Sequence, residues 1–354
     1  MRSITGHVAI LALALTSVDY VRPAPQTIKV AEGVYLFVTK PYGDAGMDGN
    51  SVAILSNEGV LVFDTNGTPA ASALVLAEIR QLTDKPVRYV VNSHWHWDHW
   101  YGTETYTKAF PDVKVVAHEK TRAMMAGPAI EFNRPGLEKQ LPGYIGMLEQ
   151  RVASRPELQP ALEEARFFLD QKKNARLVLP TTTYKDRLDL TLGERTIQVR
   201  HFDRAVTPGD SFLYLPSEKI LVTGDLLVNP ISFALSSYPT GWLRTLEMLD
   251  GLDVNVIVPG HGEPLRDKTL LRTHIEVMRE LLKIGKDAKA RGLDADQAKE
   301  EALLRLREPM VKLTRDDPKL NDQFRIYLVD WYMHRVYDEL NGPLTDAIAP
   351  IPAK

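Results

Sequence analysis

The chain has 354 residues, of which 44% are hydrophobic and 25% charged, and its formal net charge at pH 7 is −3. This composition is that of a globular protein with a large apolar core, and the length predicts about two domains. So small a net charge gives no electrostatic basis for binding nucleic acid or an anionic membrane surface. The absence of Cys excludes disulfides, thiolate metal ligands and a lipoprotein anchor.

The N-terminal segment is predicted to be an export signal. A basic start is followed by the apolar run 8–15, which has the length of a signal peptide and is too short to span a membrane. The extended segment Pro23-Ala24-Pro25 comes next. We therefore expect a signal peptide over residues 1–22 and a periplasmic or secreted protein, with a buried N-terminal helix as the alternative. Later apolar runs are far too short for a membrane span.

The next segments alternate between strand and helix. Strands are predicted over 30–39 and 51–55, and the glycine-rich connection 42–50 between them suits either a substrate flap or an ordinary hairpin loop. Thr68 and Pro69 begin a helix as its N-cap and first residue. The β-branched segment 87–92 then predicts a buried strand. This order is typical of an α/β fold.

The strand over 87–92 delivers an unusual run of side chains to a loop, His94-Trp95-His96-Trp97-Asp98-His99. Its three imidazoles and one carboxylate are the ligands that zinc and similar cations prefer. A surface loop that is rich in His by accident is the alternative interpretation. It is disfavoured because three of the nine His residues of the chain fall in these six positions.

Two helical regions interrupt the pattern. Residues 119–183 carry charged and Leu residues at helical spacing with several prolines, and they predict a helical insertion that covers the cleft. Strands resume between 188 and 222. The segment 270–341 is again helical. We therefore expect a main domain over residues 23–266, which contains the insertion, and a C-terminal helical extension over 267–354. His118, which closes a strand, is expected to be a structural hydrogen-bonding residue.

The motif His94-x-His96-x-Asp98-His99 resembles the signature of the metallo-β-lactamase-fold hydrolases. Four further segments resemble that family's motifs in the same order: 59–65 ending Asp64-Thr65, 207–210, 221–225 ending in Asp225, and 256–262 containing His261. The resemblance covers about residues 28–263. It implies a four-layer αββα sandwich, here with a helical insertion and a C-terminal helical extension.

The resemblance also implies a metal site with two positions. His94 and His96 match the first position, and Asp98, His99 and His261 match the second. Asp225 matches the carboxylate that bridges both, so the implied cofactor is one or two zinc ions.

One position departs from the family pattern. Where the family has another His before the turn 207–210, this chain has Val206, whose side chain has no lone pair to offer. The first metal position is therefore left with His94, His96 and the shared Asp225. His201 and Asp203 lie upstream and are alternative donors, although His201 is roughly 16 Å of extended chain away.

The implied activity is hydrolysis of a small-molecule ester, lactone or amide by water whose pKa a metal ion lowers. Asp98 is the expected catalytic residue, orienting that water or accepting its proton. Four aromatic residues are expected to line the substrate cleft: Tyr42, Trp95, Trp97 and Tyr101.

Two other functions stay open. A degenerate member of the fold, inactive because of Val206, would bind a ligand or partner instead. A redox protein would hold iron or manganese on the same nitrogen and oxygen donors. The C-terminal helices also carry an aromatic stripe that includes Tyr327 and Trp331, which predicts either core packing or a homodimer surface.

Overall fold

The computed structural model describes residues 20–349. The predicted signal peptide, apart from its last three residues, lies outside this part of the chain. The described strands are β1 Gln26–Ala31, β2 Val34–Val38, β3 Ser51–Leu55, β4 Val60–Phe63, β5 Val87–Val91, β6 Lys114–His118, β7 Thr182–Tyr184, β8 Arg187–Leu192, β9 Arg195–Arg200, β10 Phe212–Leu215, β11 Ile220–Val222 and β12 Val256–Val258. They form a seven-stranded sheet in the order β1 to β7 and a five-stranded sheet in the order β12-β11-β10-β9-β8.

The described helices are α1 Pro69–Leu82, α2 Thr103–Ala109, α3 Glu119–Met125, α4 Pro128–Pro135, α5 Leu141–Val152, α6 Gln159–Asn174, α7 Pro239–Asp250, α8 Thr269–Ala290, α9 Ala295–Arg305, α10 Arg307–Thr314, α11 Pro318–Gln323 and α12 Trp331–Asn341. Wider π-helical turns over Gly136–Gln140 and Phe324–Asp330 join α4 to α5 and α11 to α12. None of the helices in residues 20–349 is both long and apolar enough to cross a membrane.

The two sheets pack face to face, and helices cover both outer faces. Phe63 and Val91 of the larger sheet share one buried cluster with Val199 and Val222 of the smaller sheet. The outer face of the larger sheet packs on α1 and α2, and that of the smaller sheet packs on α7, α8 and α12. This arrangement confirms the predicted four-layer αββα sandwich.

The direction of the parallel strands determines which edge of each sheet carries the loops with the predicted ligands. Strands β4, β5, β6 and β7 run parallel, as do β11 and β12. The carboxyl ends of parallel strands lie at one edge of a sheet, where sites are commonly built. The predicted ligand segments follow β5, β11 and β12 directly, so both sheets deliver them to their carboxyl-end edges.

One helical addition interrupts the larger sheet, and the other contributes to the helical layer on the smaller sheet. Helices α3 to α6 occupy residues 119–174, and the chain then returns to the larger sheet through β7, which pairs with β6. The C-terminal helices pack against the smaller sheet through an apolar face of α8 that includes Leu271, Ile275, Met278 and Leu281.

Candidate metal centre

A first group of potential ligands consists of His94, His96 and Asp225, whose donor atoms lie within 4.8 Å of one another. Asp225 Oδ2 is 3.7 Å from His94 Nε2 and 4.0 Å from His96 Nδ1. These separations are wider than a hydrogen bond but suit donors arranged around one cation, since zinc binds nitrogen and oxygen at about 2.0–2.2 Å.

A second group, Asp98, His99 and His261, lies beside the first. Asp98 Oδ2 is 3.4 Å from His99 Nε2 and 3.2 Å from His261 Nε2. The other oxygen of Asp225, Oδ1, lies 3.3 Å from His99 Nε2 and 3.4 Å from His261 Nε2. The two oxygens of Asp225 therefore face the two groups, in the bridging arrangement that the sequence resemblance implied.

Two glycines allow the backbone to pass close to the Asp225 side chain. A side chain at Gly260 would place its Cβ 2.1 Å from Asp225 Oδ1, so only glycine fits there. Gly224, directly before Asp225, has a φ of +52°, a conformation in which glycine is favoured. Asn50 holds the His261 turn by donating from Nδ2 to the carbonyls of Pro259 and Gly262.

Asp64 supports the centre from behind, a role that the sequence analysis did not assign. Its Oδ2 lies 2.8 Å from His99 Nδ1 and accepts from the Ser93 hydroxyl, and its Oδ1 accepts from the Ser93 backbone amide. Ser93 Oγ also lies 2.8 Å from His94 Nδ1. Both imidazoles are thus held through Nδ1, which leaves Nε2 facing the centre; carboxylates behind metal-binding His residues commonly do this.

The pKa values of the second group show that its carboxylates favour a positive charge beside them. Burial by itself lowers the pKa of His261, but Asp225 and Asp98 outweigh it and raise the pKa to about 9. Burial likewise lowers the pKa of His99, and the surrounding carboxylates raise it well above its usual value. In return, the imidazoles hold the pKa values of Asp98 and Asp225 well below normal, against the effect of burial.

Three buried atoms at the centre have no hydrogen-bond partner among the described residues: His94 Nε2, His99 Nε2 and Asp225 Oδ1. An unsatisfied buried polar atom is costly, and natural proteins leave few of them. His94 Nε2 lies 3.7 Å from Asp225 Oδ2 in the first group, and His99 Nε2 lies 3.3 Å from Asp225 Oδ1 in the second. A divalent cation would satisfy these lone pairs and neutralise the carboxylates, so the donor set fits zinc or a similar metal.

The alternative donors for the Val206 position are not at the centre. Val206 is buried in the apolar cluster between the smaller sheet and its helices. His201 stacks on His118 with ring centroids 4.2 Å apart, and its Nδ1 bonds the Asp210 carbonyl. Asp203 accepts from Arg244 at 2.8 Å. The first group is therefore limited to two imidazoles and the shared carboxylate.

A third group with ligand-type spacing, Asp296, Asp330 and His334, lies on the C-terminal helices. The Lys299 ammonium already occupies it, 2.6 Å from Asp296 and 3.3 Å from Asp330. This group therefore has its positive charge within the chain, unlike the groups around Asp225.

The expected cleft residues are mostly buried. Tyr42, Trp95 and Tyr101 are 1%, 1% and 5% exposed, and their place in an apolar substrate cleft stays a prediction. Tyr42, for example, stacks on Phe168 with ring centroids 4.4 Å apart. Trp97 does line a cavity, of about 680 Å³, whose other walls come mainly from α4, α5, α6 and the turn between α4 and α5.

Comparison with known proteins agrees with this geometry. The model of the metallo-beta-lactamase superfamily matches residues 45–261. A linear primary-alkylsulfatase from Pseudomonas sp. (strain ATCC 19151) is 24% identical over 248 residues, which are 65% of this chain and 43% of the relative. The chain thus spans less than half the length of that curated relative.

Solved structures show the same fold. A metallo-beta-lactamase from Pontibacter korlensis has a TM-score of 0.52 and 18% identity, over 72% of this chain and 99% of that one. A stereoselective inverting sec-alkylsulfatase from Pseudomonas sp. has a TM-score of 0.62 and 19% identity, over 93% of this chain and 52% of that one. Since the family model alone covers well over half of the sequence, this chain belongs to the metallo-beta-lactamase superfamily.

Proposed function

We propose that the protein is a metal-dependent hydrolase of small-molecule esters that uses zinc. The observation that supports it most is the pair of ligand groups that share Asp225, in which His94 Nε2, His99 Nε2 and Asp225 Oδ1 are buried without a hydrogen-bond partner. The names of the two alkylsulfatase relatives add sulfate esters to the ester, lactone and amide substrates expected from the sequence.

The first group, with His94, His96 and Asp225, and the second group, with Asp98, His99, His261 and Asp225, would hold the metal. When bound, zinc supplies Lewis acidity and lowers the pKa of water towards neutrality. Asp98, which its imidazole neighbours keep ionised by lowering its pKa, would orient the attacking water by accepting a hydrogen bond from it. Asp64 and Ser93 keep the imidazoles in the required orientation.

The test is metal content and turnover in the full chain. We expect zinc to copurify or bind on addition, and the zinc-loaded protein to hydrolyse alkyl sulfates, aryl esters or lactones, with activity lost to a chelator and restored by zinc. A protein that binds no metal and hydrolyses none of these compounds would favour the non-catalytic alternative. Bound iron with oxygen or peroxide chemistry would favour the redox alternative.

Replacing Asp64 by asparagine is expected to weaken zinc binding by about ten- to hundredfold, as is usual when a residue behind a metal ligand is lost. The amide keeps the size of the side chain but loses the charge beside His99 Nδ1. Competition with a coloured zinc chelator measures the affinity. Asp296→Asn is the matched control, because that carboxylate belongs to the group that Lys299 already neutralises. Equal affinities in the two variants would show that Asp64 does not support the centre.

A further inference from the structure

Lys172, on α6, places its ammonium among aromatic rings next to the metal centre. Its Nζ lies 3.6 Å from the ring centroid of Trp97, 4.5 Å from that of Tyr101 and 5.6 Å from that of Phe168. Trp97 directly precedes the proposed ligand Asp98 in the chain. The helical insertion thus brings a cation to the wall of the centre.

Within residues 20–349, Lys172 has neither a hydrogen bond nor a carboxylate within 4.0 Å, unlike Lys108 or Lys120, which contact carboxylates at 2.6 Å. Contacts with aromatic faces stabilise an ammonium only partly, since they satisfy none of its N–H donors with an oxygen. Burial lowers the pKa of Lys172 to about 7, although Asp98 and Asp48 act to raise it. Because no carboxylate of residues 20–349 contacts it, the Lys172 ammonium has no anionic partner in this part of the chain.

The cavity of about 680 Å³ shows where such a partner would enter. Lys172 is the one basic residue among the described residues that line it. Its acidic lining residues, Asp44 and Glu131, are solvent-exposed, and Glu131 already pairs with Arg134. Most of the remaining wall is aromatic or aliphatic and includes Phe132 and Leu141.

We propose that Lys172 binds the anionic group of the substrate and makes the protein select anionic over neutral substrates with an apolar remainder. This inference rests on the proposed function for the reaction itself, but the binding step can be measured separately. An entering anion would bond the ammonium directly, and the apolar part of the molecule would lie against the aromatic and aliphatic wall.

The experiment compares octane-1-sulfonate, which has no ester bond to hydrolyse, with the neutral octyl glucoside, both below micelle-forming concentrations. Calorimetric titration of the zinc-loaded protein gives the two affinities. We expect Lys172→Met to weaken sulfonate binding at least tenfold and glucoside binding less than twofold. Lys172→Arg, which keeps the charge, should bind the sulfonate more tightly than Lys172→Met does. Lys173→Met is the matched control, because Lys173 is the next residue of the same helix and is solvent-exposed.

Unchanged sulfonate affinity in Lys172→Met, an equal loss of both ligands, or no sulfonate binding by the unchanged protein would each overturn the inference. Sulfonate binding through Lys172 by a protein that hydrolyses no ester would contradict only the proposed hydrolase. Active hydrolysis with an unchanged KM for anionic esters in Lys172→Met would contradict only the role of Lys172.

Discussion

Replacing Asp225 by alanine is expected to remove bound metal and to lower the rate of ester hydrolysis by more than about a hundredfold. The two oxygens of Asp225 face His94 on one side and His99 on the other, at 3.7 and 3.3 Å. Loss of a residue behind a ligand typically costs ten- to hundredfold, and loss of a shared ligand should cost more. Metal per chain by mass spectrometry and turnover are measured on the same samples.

The control for this substitution is Asp296→Ala, which removes a carboxylate from the group that contains Lys299 and should change neither quantity. Circular dichroism and thermal unfolding separate loss of the centre from loss of the fold. If the folded Asp225→Ala protein kept its metal and its activity within tenfold, Asp225 could not be the bridging ligand.

The six predicted ligands are brought together because their positions depend on simple rules of the fold. The run from His94 to His99 follows β5 directly, so its local spacing already places several donors in one loop. Asp225 and His261 follow β11 and β12, which are parallel neighbours and therefore end at the same edge. Short sequence motifs at strand ends carry this information without knowledge of distant contacts.

Residues that act through distant contacts were harder to identify. Asp64 meets His99 across 35 positions of sequence, and Lys172 looks like any helical lysine beside Lys173. The clue for Asp64 was its position at the end of a buried strand, where a carboxylate needs a partner. The sequence held no comparable signal for the aromatic cage around Lys172, since that cage forms only when α6 packs near Trp97.

The exposure of aromatic side chains could not be predicted from the sequence, for a physical reason. Aromatic side chains are both good cleft-lining groups and good core residues, so sequence alone does not separate the two roles. Trp95 alternates with the ligands in the motif but packs inward, edge-on to Phe132. On α1, by contrast, Thr68 caps the helix as predicted, because a cap depends on local sequence alone.

A buried ion pair connects the N-terminal segment to the centre. Arg22 Nη2 donates to Asp48 Oδ2 at 2.5 Å, and the two side chains are 3% and 0% exposed. Asp48 also accepts from the Gly67 amide, and the next residue, Gly49, donates its amide to the carbonyl of Asp98. The sequence predicts a signal peptide that ends at residue 22. Because Arg22 pairs with Asp48 and the Tyr20 hydroxyl bonds Glu164, we propose instead that an export signal, where one is removed, is cleaved before Tyr20.

Replacing Arg22 by methionine is expected to lower the free energy of unfolding by about 3–5 kcal/mol, because it leaves the Asp48 carboxylate buried without its counter-charge. Urea unfolding monitored by tryptophan fluorescence measures the change. Arg151→Met, at an exposed position of α5, is the matched control and should have little effect. The double variant Arg22→Met with Asp48→Asn should recover part of the loss, since no unpaired charge remains.

The loss of stability in Arg22→Met is expected to depend on pH. Burial raises the pKa of Asp48 to about 6 even with Arg22 present to lower it, and loss of Arg22 raises that pKa further. A carboxyl whose pKa is higher in the folded than in the unfolded chain favours folding while protonated, and that contribution is lost as the pH rises through the folded pKa. The cost of Arg22→Met should therefore be larger at pH 8 than at pH 5. An equal cost at both values would mean that Asp48 is not the group left unpaired.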